Sequence, residues 1–426
     1  MTLTNPSSDT SGAVSTKHLI WILLIALGLR LIWAWWIPVM PVSDGAAYDA
    51  FARTLVDHGV FGWTAAEPTA FWPPGTTFIH AALYWAFGVN YLPIVVVNIG
   101  LSLGLIVICA RLADRFWGPR VAMLTAWILA LWPTLVMYPT ILASELPFLV
   151  LTLLSLDVWT NEKIRPLHKG WMAGLLLGFA ALVRPQALLL PLLFAFCAVT
   201  SAGMAWAAIR SQFRLLIAAG VIMAVVIAPW TWRNFQLYGE PVLISTNGGI
   251  TLWMGNTPGT DGSYMIVPEA FDALPENERA RVLGQQAKEY IQQDPVGFLT
   301  RAVRKVVILY TNESVGVGWN VDGIRQALGE PWVNVLKRFT QVTWALILAL
   351  ALAGFWAAVR QQGVFRTLTS PITLSILYFT AIHAVVVSQE RYHLAFAGQL
   401  AILAGLGAAL ISDRLRTWRN SRERTP

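Results

Sequence analysis

The chain has 426 residues, of which 56% are hydrophobic and 12% are charged, with 30 Lys and Arg against 23 Asp and Glu. Apolar residues are concentrated in runs close to the thickness of a bilayer, which excludes a soluble globular fold and indicates an integral membrane protein. The net charge of +7 does not indicate nucleic-acid binding, because the basic residues are scattered among short loops and a tail, where they suit membrane orientation.

These solidly apolar runs predict an all-α polytopic protein with about ten transmembrane helices. In chain order the predicted spans are residues 18–37, 91–110, 121–139, 145–160, 170–184, 186–203, 215–232, 339–359, 369–387 and 393–412. Tryptophans stand at the ends of several spans, where their amphipathic rings suit the membrane interface. Membrane lipids are therefore the first expected partners of the chain.

Basic residues in the short loops all fall on the side of the membrane that Lys17 occupies. They include Arg111, Arg115, Arg120, Lys163, Arg165, Lys169, Arg210, Arg214, Arg360, Arg366 and the C-terminal arginines. The positive-inside rule makes that side cytoplasmic, so both termini are predicted to be cytoplasmic and loops 38–90 and 233–338 exported. The expected division is a transmembrane catalytic region over 1–232, an exported region over 233–338, and C-terminal helices with a basic tail over 339–426.

Two exported segments are predicted to be helices at the membrane interface. Residues 76–87 follow a Pro-Pro-Gly turn and are too few to span a bilayer. Residues 296–310 place apolar side chains at helical spacing between three basic residues, Arg301, Arg304 and Lys305. This pattern is typical of an amphipathic helix lying in the headgroup region.

Two acidic residues lie at the outer mouth of the predicted bundle. Asp44 follows the prolines that end the first span, and Tyr48 stands one helical turn later. Glu145 opens the fourth span and is the only carboxylate between Arg120 and Asp157. A carboxylate at this depth is costly without a function. Helix capping is the alternative for both residues, because acidic side chains are favourable at a helix N-terminus.

Arginines also stand at the outer ends of predicted spans. Arg184 lies in an Arg-Pro-Gln turn, Arg233 ends the seventh span, and Arg391-Tyr392 lies between the last two spans. Their guanidinium groups suit an anionic, lipid-linked substrate, while snorkelling to lipid phosphate is the alternative for Arg184. Arg30 falls inside the first span, so it must snorkel, pair or face a polar cavity.

The sequence contains no evident metal-binding motif, and the cofactor requirement stays open. Only two cysteines occur, Cys109 and Cys197, both inside apolar runs. The histidines do not show HExxH or another close ligand spacing, so structural roles are expected for them. They include His58, His80, His383 and His393.

Taken in order, these residues resemble the family 39 glycosyltransferases of the GT-C class. That family includes protein O-mannosyltransferases and the bacterial enzyme that adds aminoarabinose to lipid A. The similarity covers most of the chain and rests on the order of its motifs rather than on any one of them. The motifs are Asp44 with Tyr48, Pro73-Pro74-Gly75, Glu145, Leu182-Val183-Arg184-Pro185, Pro229-Trp230-Thr231-Trp232-Arg233-Asn234, Ser245-Thr246-Asn247-Gly248-Gly249 and Glu390-Arg391-Tyr392.

The resemblance implies a GT-C-type bundle with interfacial helices and a small exported region in a bacterial inner membrane. It also implies transfer of a sugar from a polyprenyl-phosphate donor to an exported glycan, lipid or protein, with Asp44 as the catalytic base. A single base-assisted displacement would invert the anomeric centre. The assigned site residues are Asp44 and Glu145 for catalysis, and Tyr48, Arg184, Arg233, Arg391 and Tyr392 for substrate binding.

The chain departs from these relatives at two positions. Asp44-Gly45 stands where the mannosyltransferases have Asp-Glu, and Phe71-Trp72 stands where the aminoarabinose enzyme has Glu-Lys. In the relatives those residues help to bind metal and phosphate. Neither a metal site nor aminoarabinose specificity is therefore expected here.

Two other classes of function remain open at this point. A transporter or flippase of a lipid-linked saccharide would place polar groups and broken helices near the bilayer midplane, whereas Asp44 and Glu145 lie at the outer mouth. A non-catalytic scaffold would use the same charges only to anchor interfacial helices. In that protein the Asp44 side chain would point into the lipid headgroups.

Overall fold

The computed structural model describes residues 16–422, and most of this range is helical. The helices are α1 Thr16–Trp36, α2 Asp44–His58, α3 Gly75–Phe87, α4 Leu92–Trp117, α5 Pro119–Leu131, α6 Pro133–Met137, α7 Glu145–Thr160, α8 Pro166–Val183, α9 Leu190–Ser201, α10 Trp206–Tyr238, α11 Asn247–Met254, α12 Glu276–Gln293, α13 Pro295–Thr311, α14 Val315–Gly318, α15 Val321–Leu328, α16 Glu330–Gln362, α17 Val364–Leu368, α18 Pro371–Val385 and α19 Ala397–Arg422. Within residues 16–422 the only β pairing is one antiparallel bridge, Gly62 to Pro68. The predicted all-α fold class is confirmed.

Six of the described helical segments are long and apolar enough to cross a membrane. They are α1, α4, α8, α10, α16 and the segment formed by the 3₁₀ turn Glu390–Phe396 with α19. A seventh candidate is α5 together with residues 133–140, which are bent by 57° against each other. The predicted count of ten is not confirmed. The spans predicted at 186–203 and 369–387 are the shorter apolar helices Pro185–Ser201 and Pro371–Val385, and the span predicted at 145–160 is the 16-residue helix α7.

Proline begins many of these helices. Five helices have proline as their first residue, at Pro119, Pro133, Pro166, Pro295 and Pro371. The fixed φ of proline suits a first helical turn, where its missing N–H would have no intrahelical partner. The same missing donor stops the helix before it, so the span predicted at 121–139 is broken where α5 ends and α6 begins.

Arg30 stabilises this break from inside the bundle. Its Nη2 donates to the Leu129 carbonyl at 3.2 Å and its Nη1 to the Ala130 carbonyl at 3.2 Å. In an unbroken helix the Leu129 carbonyl would accept from residue 133, which is proline and has no N–H. Nε also donates to Ser102 Oγ at 2.7 Å. Arg30 is fully buried and paired with backbone, so it does not snorkel.

Helices α8 and α10 approach each other through a stripe of glycines. Gly170, Gly174 and Gly178 recur every fourth residue along α8. A Cβ atom on Gly174 would lie 2.6 Å from the Ala219 carbonyl oxygen, and one on Gly178 would lie 2.8 Å from Val226 Cβ. Small residues at this spacing allow close packing of membrane helices. The contact positions the end of α8, from which Arg184 continues.

The two predicted interfacial segments are helical. The first is α3, and the second is α13, whose exposed apolar stripe consists of Val296, Leu299, Val303 and Val307. Lys305 departs from the prediction, because it is fully buried and donates from Nζ to the Val385 carbonyl at 2.9 Å and to Asn256 Oδ1 at 3.2 Å. Burial lowers the pKa of the Lys305 ammonium to about 8.

The structure leaves parts of the predicted domain organisation untested. Residues 1–15 and 423–426, which include the predicted cytoplasmic N-terminus and the end of the basic tail, lie outside the described residues. The division at residues 232 and 338 stays a prediction. Helix α10 runs from Trp206 to Tyr238 and so continues past residue 232 without interruption.

Candidate active site

Asp44 is the first residue of α2, and its carboxylate turns towards a guanidinium rather than capping the helix. Asp44 Oδ2 lies 2.8 Å from Arg391 Nη2, and the Asp44 side chain is 26% exposed. Tyr48, one turn later, is buried, and this burial raises the pKa of its hydroxyl, with the Asp44 charge adding to the effect. The first turn of α2 therefore contributes one accessible carboxylate and one neutral phenol.

Glu145 and Arg184 form an ion pair beneath Asp44. Arg184 Nη2 contacts Glu145 Oε1, and Arg184 Nε donates to Ser144 Oγ at 2.9 Å. The Glu145 side chain is 2% exposed, and its Oε2 atom is buried without a hydrogen-bond partner. Arg184 has an extended backbone because Pro185 follows it and disfavours the helical conformation. The proline thereby ends α8 and turns the arginine into the bundle, where it does not snorkel.

Arg391 lies between the two carboxylates. Its Nη2 pairs with Asp44 at 2.8 Å, and its Nη1 is 4.0 Å from Glu145 Oε1. The guanidinium carbon lies 4.6 Å from the centre of the Trp319 ring and 5.2 Å from that of Tyr392. Such contacts orient a planar cation through its faces and leave its N–H edge available. The two acids and the two arginines, Arg184 included, sum to a formal charge of zero.

Tyr392 packs between the two arginines and the last apolar helices. The Arg184 guanidinium carbon is 5.7 Å from its ring centre. The ring of His383 also stacks on it, with ring centres 4.4 Å apart and an interplanar angle of 17°. Tyr392 therefore acts as a shared aromatic support for both cations and is itself packed against His383.

A cavity of about 540 Å³ opens beside Arg391. It lies between the end of α13, the turn containing α14, and the segment before Glu390. Its polar lining residues include Ser263, Asn312, Gln389, Glu390 and Arg391, and Trp319 covers one side. The cavity gives an outside molecule access to the guanidinium that contacts both carboxylates.

Arg233 is the one assigned site residue that the fold uses elsewhere. Its Nη1 donates to the Thr69 carbonyl at 2.8 Å and its Nη2 to the Phe61 carbonyl at 3.2 Å. Its guanidinium carbon lies 4.8 Å from the Trp230 ring centre. These contacts hold residues 61–69 against the end of α10. Five of the other six assigned residues are joined by the contacts described above, namely Asp44, Glu145, Arg184, Arg391 and Tyr392. Tyr48 is buried one helical turn from Asp44.

Sequence reasoning missed Trp319 and Gln389, although both contact Arg391. Gln389 Oε1 accepts from Arg391 Nε at 2.8 Å. Trp319 lies in a Gly-Trp-Asn turn, where a lone tryptophan carries no periodic signal. The sequence indicates this part of the site only through the motif at Glu390-Arg391-Tyr392, and a tryptophan 72 residues before Arg391 cannot be assigned to it from local spacing.

A second buried acid, Glu313, lies close to the site. It accepts from Trp132 Nε1 at 2.6 Å, and its Oε1 lies 3.6 Å from His393 Nε2. Burial raises the pKa of the Glu313 carboxyl. The contacts tie the break after α5 to the turn that carries Arg391, so Glu313 supports the site without lining it.

Three solved structures show what this architecture is similar to. The oligosaccharyltransferase AglB of Archaeoglobus fulgidus, in complex with an inhibitory peptide and a dolichol-phosphate, is 14% identical, with a TM-score of 0.55 over 96% of this chain and 51% of that one. The same enzyme in complex with Zn and sulfate is 15% identical, with a TM-score of 0.57 over 94% and 50%. ArnT from Cupriavidus metallidurans, bound to undecaprenyl phosphate, is 15% identical over 93% and 78%, but its TM-score of 0.47 is too low to carry an argument.

No protein-family model and no curated sequence matches the chain. The chain spans about half the length of the archaeal enzyme. The TM-scores of 0.55 and 0.57 indicate a shared fold. Because the identities are near 15%, activity has to be argued from the site. The chain therefore has the fold of the GT-C membrane glycosyltransferases, as the sequence resemblance predicts.

Proposed function

We propose that this protein is a membrane glycosyltransferase that moves a sugar from a polyprenyl-phosphate donor to an acceptor hydroxyl on the exported face. One observation carries the proposal: an accessible carboxylate, Asp44, pairs with the guanidinium of Arg391, which itself lines a cavity. A base and a cluster of cations in one site match the needs of such a transfer. The dolichol-phosphate named for the archaeal structure supports a polyprenyl-phosphate substrate.

The reaction follows from the charges of the site. Asp44 accepts the proton of the acceptor hydroxyl as its oxygen forms a bond to the anomeric carbon of the donor sugar. The bond from that carbon to the phosphate oxygen breaks, and the lipid phosphate leaves with the electron pair. Arg391 and Arg184 stabilise the negative charge on the departing phosphate. Attack from the face opposite the leaving group inverts the anomeric configuration.

Glu145 takes a different role in this proposal from the catalytic one that its position suggests. Its carboxylate is buried and paired with Arg184, so it cannot reach an acceptor hydroxyl without losing that pair. We assign it to positioning Arg184, while the Tyr392 ring packs against both arginines and Tyr48 is buried one helical turn from Asp44. Arg233 supports the exported segment 61–69 and contributes to the site only indirectly.

A metal ion does not suit the side chains of this site. The archaeal enzyme has been solved in complex with Zn and sulfate. In this chain, both acids of the site are already engaged by arginine, and residues 16–422 contain no group of three or more His, Cys, Asp or Glu side chains able to hold a metal. Two carboxylates and two guanidinium groups are an unfavourable donor set for a divalent cation.

The proposal is tested with the purified protein in lipid nanodiscs. A panel of polyprenyl-phosphate sugars is mixed with envelope extracts as acceptor, and mass spectrometry follows both free polyprenyl phosphate and glycosylated product. We expect stoichiometric release and transfer with at least one donor, with inversion detected by NMR of the product. Transbilayer movement of an intact donor in vesicles, without its cleavage, would instead identify a flippase.

The orientation is a prediction of its own, with the site exported and both termini cytoplasmic. Within the predicted exported region 233–338, Ile266 is highly exposed and suits a cysteine probe. Gly255 does not, because a Cβ atom there would lie 2.7 Å from the Val386 carbonyl oxygen. We expect Ile266→Cys to react with an impermeant maleimide from outside intact cells and Lys163→Cys only after permeabilisation, since both native cysteines are buried. The reverse pattern would contradict the orientation and the exported site together.

A further inference from the structure

The two carboxylates of the site share one guanidinium. Arg391 Nη2 is 2.8 Å from Asp44 Oδ2, and Nη1 is 4.0 Å from Glu145 Oε1. A hydrogen bond to a carboxylate needs a separation of about 2.7–3.2 Å, so Nη1 lies close enough to Glu145 for attraction but too far for a hydrogen bond. The cation is therefore bound firmly by one acid and loosely by the other.

We infer that the Arg391 guanidinium holds the place a divalent cation would take between Asp44 and Glu145, and that this guanidinium neutralises the departing lipid phosphate. The inference rests on the proposed glycosyl transfer and assigns the cation for it. The weakly engaged Nη1 is the donor available to a phosphate oxygen. Arg391 also lines the 540 Å³ cavity, which gives the phosphate its approach.

Three neighbouring side chains hold the Arg391 guanidinium in the site. Trp319 and Tyr392 lie against it at 4.6 and 5.2 Å, and Gln389 accepts from its Nε at 2.8 Å. These contacts limit the guanidinium to small movements, so the cation is present before any substrate binds. A divalent ion added to the neutral set of two acids and two arginines would leave the site with a charge of +2, which repels further cations.

Removal of the Arg391 charge would leave this neutral set of side chains with an excess of negative charge. Asp44 would then lose its ion-pair partner, while Glu145 would keep its contact with Arg184. The buried and unpartnered Oε2 atom of Glu145 would be free to bind a cation. Two carboxylates with water are a common ligand set for Mn²⁺ and Mg²⁺. We therefore expect that replacing Arg391 with an uncharged residue creates a metal site.

The test compares the wild type with Arg391→Met, which keeps an unbranched side chain but removes the guanidinium and its charge. Mn²⁺ binding is measured by EPR in nanodiscs, and transfer is measured with and without EDTA. We expect a wild type that binds no Mn²⁺ at this site and is insensitive to EDTA. Arg391→Met is expected to bind one Mn²⁺ per chain and to lose about 10²–10³-fold in transfer rate, and adding Asp44→Asn to it should abolish the Mn²⁺ signal.

Several outcomes would overturn the inference. One is a wild type that binds one metal ion per chain, loses it through Asp44→Asn, and needs it for transfer. Another is an Arg391→Met protein with full transfer in EDTA. If Arg391→Met does not fold, Arg391→Lys replaces it, and the inference then requires partial, EDTA-insensitive transfer without Mn²⁺ binding. A wild type that cleaves no polyprenyl-phosphate sugar refutes the proposed function, whereas the Mn²⁺ titrations still decide whether Arg391 fills a cation site.

Discussion

Asp44→Asn is expected to lower the rate of sugar transfer by about 10²–10⁴-fold, the usual effect of removing a general base. The amide keeps the shape of the side chain but cannot accept the acceptor proton. Its oxygen can still accept a hydrogen bond from Arg391 Nη2, and Glu145 remains near that guanidinium. Folding and donor binding should therefore stay close to those of the wild type.

The measurement pairs transfer in nanodiscs with thermal unfolding. Asp57→Asn is the matched control, because Asp57 lies on the same helix, is exposed and stands outside the site. That variant is expected to transfer at the wild-type rate. Full turnover by Asp44→Asn at normal stability would remove Asp44 as the base and return Glu145 to consideration.

Loss of the Arg184 charge is expected to weaken donor binding by about 10- to 150-fold, which corresponds to one or two hydrogen bonds to a charged phosphate. A single Arg184→Ala change is a poor test, because it would leave the buried Glu145 carboxylate without its main partner. Breaking a buried ion pair in this way typically costs about 3–5 kcal/mol of stability. The loss of donor binding would then be confused with unfolding.

The double variant Arg184→Gln with Glu145→Gln removes both charges and keeps a hydrogen-bonding side chain at each position. It should fold and bind the donor weakly, as measured by microscale thermophoresis with a labelled polyprenyl-phosphate sugar. Arg184→Lys should retain part of the affinity, because lysine supplies a point charge without the planar fork. Arg53→Gln, at a partly exposed arginine paired with Asp49, is the control. Unchanged donor affinity in a stable double variant would leave Arg184 with a structural role only.

Much of the helical architecture could be predicted because its signals are local. Runs of apolar residues marked α1, α4, α10 and α16, and the prolines marked where helices begin. For the same reason, the predicted count of ten spans is not confirmed. An apolar run of 15 to 17 residues has the same composition whether it crosses a bilayer or packs as a short helix within the bundle, and only the neighbouring helices distinguish the two.

The sequence by itself determined the residue types of the site and their order along the chain. Asp44, Glu145, Arg184 and Arg391 were selected because each charge lies beside an apolar run, where an ionised group is costly unless it has a partner or a function. Arg233 met the same criterion, yet it binds the carbonyls of residues 61 and 69. The cost of placing a charge beside an apolar run indicates that the charge needs a partner, but it does not identify that partner.

Only the tertiary structure decided which acid pairs with which arginine, and the roles proposed for Asp44 and Glu145 follow from that pairing. Asp44 and Arg391 are separated by 347 residues and meet because α2 and the turn before α19 pack at the same mouth of the bundle. That contact leaves Asp44 exposed enough to act as a base, while the pair with Arg184 buries Glu145. Ion pairing acts through space over a few ångströms, and no local pattern in the sequence encodes which distant charges the packing of the helices brings within that range.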